Sequence, residues 1–270
     1  MTTPLTQRST PNVDFSSNGA SSRKQLGALL KRSLRTTARV PQMLMLSLTM
    51  PMAMLLLFSQ VFRGVSDSAQ FPRGMSYIDY LTPAMLAVAT VMAGTNVGVA
   101  SAIDHTNGLS DRFRTLAMPR SIPGIARTIN EMIFTVARAA LLIATAAVLG
   151  FRFRGDGLDI VTGMIVLIAL AGSMSALFGR IGDHLRRPDV VQFAGMMVMM
   201  PFMFVSSAFA PLDTMPGWMR TVANGNPVSR TADALREAVA GTTTAGTIAA
   251  ALLAAGAMWA LVVAIPAGRP

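Results

Sequence analysis

Glu131 and Arg138 fall inside a long apolar run of this chain, seven residues apart and so on roughly one face of a helix, two turns from each other. Charge inside such a run is costly and marks a functional candidate by default. The structural reading is a charge satisfied by neighbouring helices; otherwise Arg138 could pair with Glu131, snorkel to an interface or contact an acidic substrate, and an ion-gradient-driven carrier or channel would use both residues. The two histidines, His105 and His184, stand apart without metal-ligand spacing, so no metal site is expected. Neither offers a base for a membrane-embedded serine, and no catalytic residue is assigned. The lysines, Lys24 and Lys31, are followed by Gln25 and Arg32, not by the Ser or Thr that closes a phosphate-binding GxxxxGK[ST] loop. There is no cysteine, which excludes disulfides and thiolate metal sites. An energy source within the chain is therefore not expected.

The elements that would hold these residues are set by composition. Apolar residues make up 52% of 270 positions and charged residues 13%, with a mean hydropathy of +0.49, too apolar for an ordinary soluble domain. Crossing the hydrocarbon layer takes roughly 20 mostly apolar helical residues, at about 1.5 Å each over about 30 Å. Six stretches qualify, at approximately 41–62, 80–103, 129–150, 160–179, 190–210 and 246–265. Backbone amides cannot stay unpaired in lipid, and the alternation of barrel strands is absent. The expected fold is an all-α polytopic membrane protein with six transmembrane helices.

Charge sets the expected orientation. Lys and Arg against Asp and Glu give net +6 before residue 40, 0 across 63–79, +2 across 104–127, 0 across 151–159, +1 across 180–189, 0 across 211–245 and +1 at the tail. Excess Lys and Arg stay on the cytoplasmic side, so every second connection is expected inside, with both termini cytoplasmic. A sequence pI near 11.5 would otherwise suggest nucleic acid. No basic stripe carries interleaved aromatics or a binding module, so no nucleic-acid partner is expected. The basic excess, at Arg23, Lys24, Lys31, Arg32, Arg35 and Arg39, would instead attract anionic lipid.

Residues 1–21, rich in Ser, Thr, Asn and Pro, are expected to be a disordered cytoplasmic tail. Over 22–39, Leu26, Leu29, Leu30 and Leu34 recur at helical spacing among basic residues, which suits an interfacial helix or a simple basic flank. The transmembrane domain is placed at 40–265 and a short cytoplasmic tail at 266–270. Gly94 and Gly98 form a GxxxG pair suited to close helix approach. Pro51, Pro83 and Pro201 lie within spans, where each kinks a helix for packing or for opening a cavity. Methionine is dense over 43–54 and again at Met196, Met197, Met199, Met200 and Met203. Flexible thioethers could line a pathway for apolar substrates, fill a core or face lipid.

Two connections are informative. The segment 104–120 reads DHTNGLSDRFRTLAMPR, in which Leu109, Phe113 and Leu116 follow i, i+4, i+7 and Asp111, Arg112 and Arg114 remain for solvent or a partner. A short amphipathic helix there could lie on the membrane or enter a soluble protein's groove. On the opposite side, within 211–241, Asn226 can cap a helix that starts at Pro227, buries Val228, Ala232, Leu235 and Val239 on one face, and ends at Gly241. That helix is expected to dip into the outer leaflet, with Trp218 anchoring it at the headgroups and Tyr77 and Tyr80 nearby.

At these residues the chain resembles the ABC type-2 permease family, and within it the daunorubicin/doxorubicin resistance permease group. The likeness covers most of 25–265: a basic interfacial helix, six spans, GLSDRFRTLAMPR after the second, GFRFR closing the third, PLDTMPGW after the fifth and NPVSRTADALR before the sixth. The resemblance implies export of a hydrophobic drug or lipid across the plasma (inner) membrane. It also implies two permeases, the same or homologous, and two ABC nucleotide-binding subunits that carry ATP and Mg, with no cofactor on this chain. The family's coupling helix corresponds to Gly108 through Leu116. Leu109, Phe113 and Leu116 are assigned to the ATPase groove, Arg112 and Arg114 to its rim, and Arg32 and Arg35 to a nearby contact. Arg138, Glu131, Met196, Met199, Met200 and Met203 are expected along the substrate pathway, and Trp218, Asn226 and Pro227 at the outer gate. Two departures from the family pattern are Asp104-His105 ahead of the coupling helix and Ser229-Arg230 after Pro227-Val228.

Overall fold

A computed structural model describes Gly27 and residues 41–61, 75–107, 122–208 and 215–264. Its elements are α1 (Pro41–Val61), α2 (Tyr77–Thr106), α3 (Ile122–Val148), α4 (Gly157–Leu185), α5 (Pro188–Phe204), α6 (Gly217–Gly225), α7 (Pro227–Ala240) and α8 (Ala245–Ala264). Among the described residues there is no strand, as an apolar bundle that must satisfy its own backbone requires. The helices α2, α3, α4 and α8 are long and apolar enough to cross a membrane, while α1 and α5 contribute shorter apolar helices.

Every expected span contains a helix, but the bounds differ in an instructive way. The α2 and α4 helices run past their apolar stretches at both ends, and α3 starts early at Ile122 while stopping at Val148, so that Asp79, Asp104, His105, Arg127, Asp183 and His184 are helical and not in loops. Both histidines were expected in connections; each instead occupies the last turn of its helix. Backbone hydrogen bonding continues through a polar turn as long as side chains there find partners, which hydropathy does not register. The connection between α4 and α5 shrinks to Arg186 and Arg187, with Arg186 in a left-handed conformation at φ 55° that reverses the chain. In the other direction, the expected span 190–210 loses its last turn, since α5 stops at Phe204.

The core is built around α2. Within its apolar stretch 61% of residues are buried, against 22% for α8, so α2 is central and α8 peripheral. Leu81, Met85 and Val88 of α2 join Leu142 of α3, and Leu167, Leu170, Met174 and Phe178 of α4, in one apolar cluster. The Gly94/Gly98 pair performs the expected close approach. A β-carbon on Gly94 would stand 2.8 Å from that of Met174, and one on Gly98 2.6 Å from the Phe178 carbonyl oxygen. Gly182 of α4 lies against the Gly98 carbonyl in return, so the two backbones touch.

The bundle has two polar ends. One carries the ends of α2 and α4 and the starts of α3 and α5; it is called the connection end, because the 108–121 segment leaves and rejoins there. The other, the hairpin end, carries α6 and α7.

Candidate functional site

At the connection end, α2, α3 and α4 are joined by side chains. The approach of Gly98 and Gly182 brings Ser101 of α2 beside Asp183 of α4, to which its hydroxyl donates. His105, one turn on, places Nε2 3.2 Å from the same Asp183 oxygen. Arg127 of α3 completes the group, donating from Nη1 to the Ser101 oxygen at 2.8 Å and from Nη2 to Asp104. Ser101 thus accepts from one helix and donates to another while it is itself fully buried. In the sequence Asp104-His105 stands out as a departure from the family pattern, and His105 also as one of two isolated histidines, while nothing singles out Ser101, Arg127 and Asp183. Ser101, Asp104 and His105 carry one signal, polar residues at i, i+3, i+4 on the end of an otherwise apolar helix.

The expected coupling residues Gly108, Leu109, Arg112, Phe113, Arg114 and Leu116 lie outside the described residues, as do Arg32 and Arg35. So do the 1–21 tail, the 22–39 helix apart from Gly27, and the 266–270 tail. The described structure holds the two points from which the 108–121 segment hangs, Asn107 and Ile122.

Deeper in α3, Glu131 and Arg138 meet. The Arg138 guanidinium donates to the Glu131 carboxylate, and a second donation reaches the Thr135 hydroxyl at 3.2 Å, which in turn donates to the Glu131 carbonyl at 2.9 Å. Glu131 is 8% exposed and Arg138 9%, so the pair is enclosed by the bundle. Two helical turns separate their backbones; the long arginine stem closes the gap along a single helix. Each charge is thus answered within α3.

The hairpin end centres on Arg236 of α7, which the sequence did not single out. Its Nε donates to the Tyr80 carbonyl at 3.1 Å, Nη1 to the Ser207 hydroxyl at 3.1 Å and to Asp233 at 2.8 Å, and Nη2 to the carbonyls of Ser207 at 2.8 Å and Ala208 at 3.2 Å. The guanidinium also lies 3.7 Å from the centre of the Tyr80 ring, an arginine stacked on an aromatic face. Tyr80 donates its hydroxyl to the Ser207 carbonyl at 2.9 Å. Tyr77 and Tyr80 are both buried, which corrects their expected place at the headgroups: the polar handle of Tyr80 is satisfied by protein and needs no water.

The expected α7 is present as read. Asn226 accepts from the Val228 amide at 2.9 Å, Pro227 is the first helical residue, and Gly241 ends the helix at φ 71°. Val228, Ala232, Leu235 and Val239 are all buried in the main core. Asn226 also donates to the carbonyls of Phe202 at 2.8 Å and Val205 at 2.7 Å. The Phe202 and Val205 carbonyls, which a helix continued to 210 would have used internally, are taken up by Asn226 instead. Trp218 of α6 is 66% exposed and free to contact headgroups.

The methionines divide. Met196, Met197 and Met200 point outward from α5, whereas Met203 is buried and Met199 half-buried. Met199 and Met203 line a narrow surface crevice with Val88, Val91, Phe202 and Val228 that encloses no cavity. It offers no room for a drug-sized ligand, whose pockets run to roughly 300–1,000 Å³.

Comparison with known proteins agrees with this geometry. The profile of the ABC-2 type transporter family matches residues 24–240. A daunorubicin resistance ABC transporter permease protein, DrrB1, of Streptomyces coeruleorubidus is 31% identical over 214 residues, covering 79% of this chain and 74% of the relative. The putative transport permease ycf38 of Porphyra purpurea is 25% identical over 79% of this chain and 73% of its own length. A probable doxorubicin resistance ABC transporter permease protein, DrrC, of Mycobacterium tuberculosis is 25% identical over 58% of this chain and 56% of its own. With a family match across most of its length and membrane-spanning helices beneath it, this chain is a multi-pass membrane protein and belongs to the ABC-2 type transporter family of permeases.

Proposed function

We propose that this chain is the permease subunit of an ATP-driven exporter that moves a hydrophobic drug or lipid out across the plasma membrane. Six crossings put the connection end and both termini in the cytoplasm and the hairpin end outside, in keeping with the excess of Lys and Arg before residue 40 and across 104–127. ATP and Mg belong to a separate nucleotide-binding subunit, present in two copies beside two permeases, the same or homologous. The drug-resistance relatives favour an amphiphilic cargo. The crevice beside Met199 and Met203 is too small for one, so the outward-facing Met196, Met197 and Met200 are the better lining for a pathway formed with a second permease.

The observation that carries this reading is the knot at the connection end. The 108–121 segment is strung between α2 and α3, and both helix ends are bonded to each other and, through Asp183, to α4. A push on that segment by a partner ATPase is thereby delivered to the bundle instead of bending one connection. The outward-open and inward-open states then interconvert by rocking of the bundles, and cargo biases them only through unequal affinity. An ion-gradient-driven carrier would need Glu131 free to exchange protons, but Arg138 occupies it.

The test is coexpression with the cognate ATPase of a variant carrying Phe113→Asp and Leu116→Asp. Copurification of the ATPase and ATP-dependent export should both be lost. If assembly and export survive, the coupling role is wrong.

A further inference from the structure

Glycine lets α2 and α4 meet backbone to backbone, Gly94 against the backbone and β-carbon of Met174, Gly98 against those of Phe178, and Gly182 against Gly98. Such a contact has no long side chains that can slide past one another, so the two helices form a rigid pair. The first turn of α3 is held differently. A β-carbon on Gly124 would meet nothing within 4 Å, and Ile125 is exposed, although Ile122 and Ala126 are buried. Apolar contact of that kind is non-directional and permits a helix end to shift. Among the described residues the directional link from α3 to the α2–α4 pair at this end is Arg127, which grips Ser101 and Asp104 of α2 and, through Ser101, reaches Asp183 of α4.

The placement has a mechanical consequence. The 108–121 segment joins α2 just after Asn107 and α3 just before Ile122, so a load on it reaches both helix ends. Without a tie, that load would splay α3 away from α2 and be spent locally. With Arg127 in place, the three helix ends are displaced together. We propose that Arg127 is a positioning residue for energy coupling, converting motion of the 108–121 segment into joint motion of α2, α3 and α4. This rests on the proposed permease function.

The competing reading is a partly exposed ion pair that only trims stability. The side chains of Arg127 and Asp104 are 21% and 27% exposed, a setting in which an ion pair contributes little to folding, so variants here should insert and fold. The two roles therefore separate in the readout.

Permease and cognate ATPase are coexpressed, purified and reconstituted, and export is measured per ATP hydrolysed for wild type, Arg127→Gln and Arg127→Lys. Arg127→Gln should assemble with the ATPase yet lose about tenfold in export per ATP, within the range of ordinary allosteric coupling. Arg127→Lys, which keeps a charged donor, should recover part of the loss. Unchanged export per ATP in assembled Arg127→Gln overturns the proposal, as does failure of that variant to assemble, which would make Arg127 a docking or folding residue. If wild type itself shows no ATP-dependent export, the permease reading has failed, and the tie is judged by distance. The chain has no cysteine, so spin labels can be placed at Gly124→Cys and His184→Cys alone. Arg127→Gln should broaden the α3–α4 distance distribution; a distribution as narrow as wild type overturns the tie.

Discussion

Gly98 presents its backbone carbonyl directly to Gly182, so that a β-carbon on either residue would fall on the backbone of the opposite helix. The seam between α2 and α4 exists because neither position carries a side chain.

Gly98→Ala and Gly182→Ala should therefore each destabilise the bundle. Overpacking of a close seam costs about 1–3 kcal/mol, and here the obstacle is backbone, which cannot rotate aside. Gly124→Ala, whose new methyl meets nothing within 4 Å, is the control and should be neutral or slightly stabilising. Thermal unfolding in mild detergent checks the contrast.

Glu131 and Arg138 neutralise each other inside α3. Glu131→Gln leaves a buried guanidinium without its counter-charge and should cost about 3–5 kcal/mol, whereas the double change Glu131→Gln with Arg138→Met should recover most of the stability. In the same double variant ATP-dependent export should persist. Loss of export with stability intact would return the pair to the transport pathway.

Arg236 uses all five of its N–H donors. Arg236→Lys keeps the charge but offers three donors from one point, so it cannot reproduce a fork that spans Tyr80, Ser207, Ala208 and Asp233. Both Arg236→Lys and Arg236→Gln should loosen the hairpin end, seen as faster protease cleavage near 205–216 and a lower Tm. Equal protection in wild type and Arg236→Lys would show that the charge alone suffices.

Gly241 closes α7 at φ 71°, and a β-carbon there would also approach the Arg154 carbonyl to 3.2 Å. Gly241→Ala should cost about 1–2 kcal/mol from the left-handed backbone. Asn226→Ala should cost about 1–2 kcal/mol for the lost cap, and more than that if the Phe202 and Val205 carbonyls go unpaired. Asn226→Asp, which restores the cap acceptor but not the amide donor, separates the two contributions in the same unfolding assay.

Local signals were strong where the physics is local. Asn226, Pro227 and Gly241 announced α7 because capping, a preset φ and a left-handed turn depend on one residue each. Gly94 and Gly98 announced a close approach because small residues at one helical repeat leave a groove. The partner of that groove was not legible, since nothing in the spacing of α2 names Met174, Phe178 or Gly182. Hydropathy overran α5, whose last turn is apolar in residue type but gives its Phe202 and Val205 carbonyls to Asn226, more than twenty positions away. It stopped α2, α3 and α4 short, because polar turns that pair with each other read as loops.

By itself, the order of residues determined an α-helical membrane protein, its family and the faces its helices bury, because water exclusion and backbone hydrogen bonding act on composition and period. Which polar groups meet across helices was decided only by tertiary structure. Arg127 with Ser101 and Asp104, and Arg236 with Tyr80 and Ser207, come together across gaps of 23 to 156 residues, brought there by helix packing that no local pattern encodes.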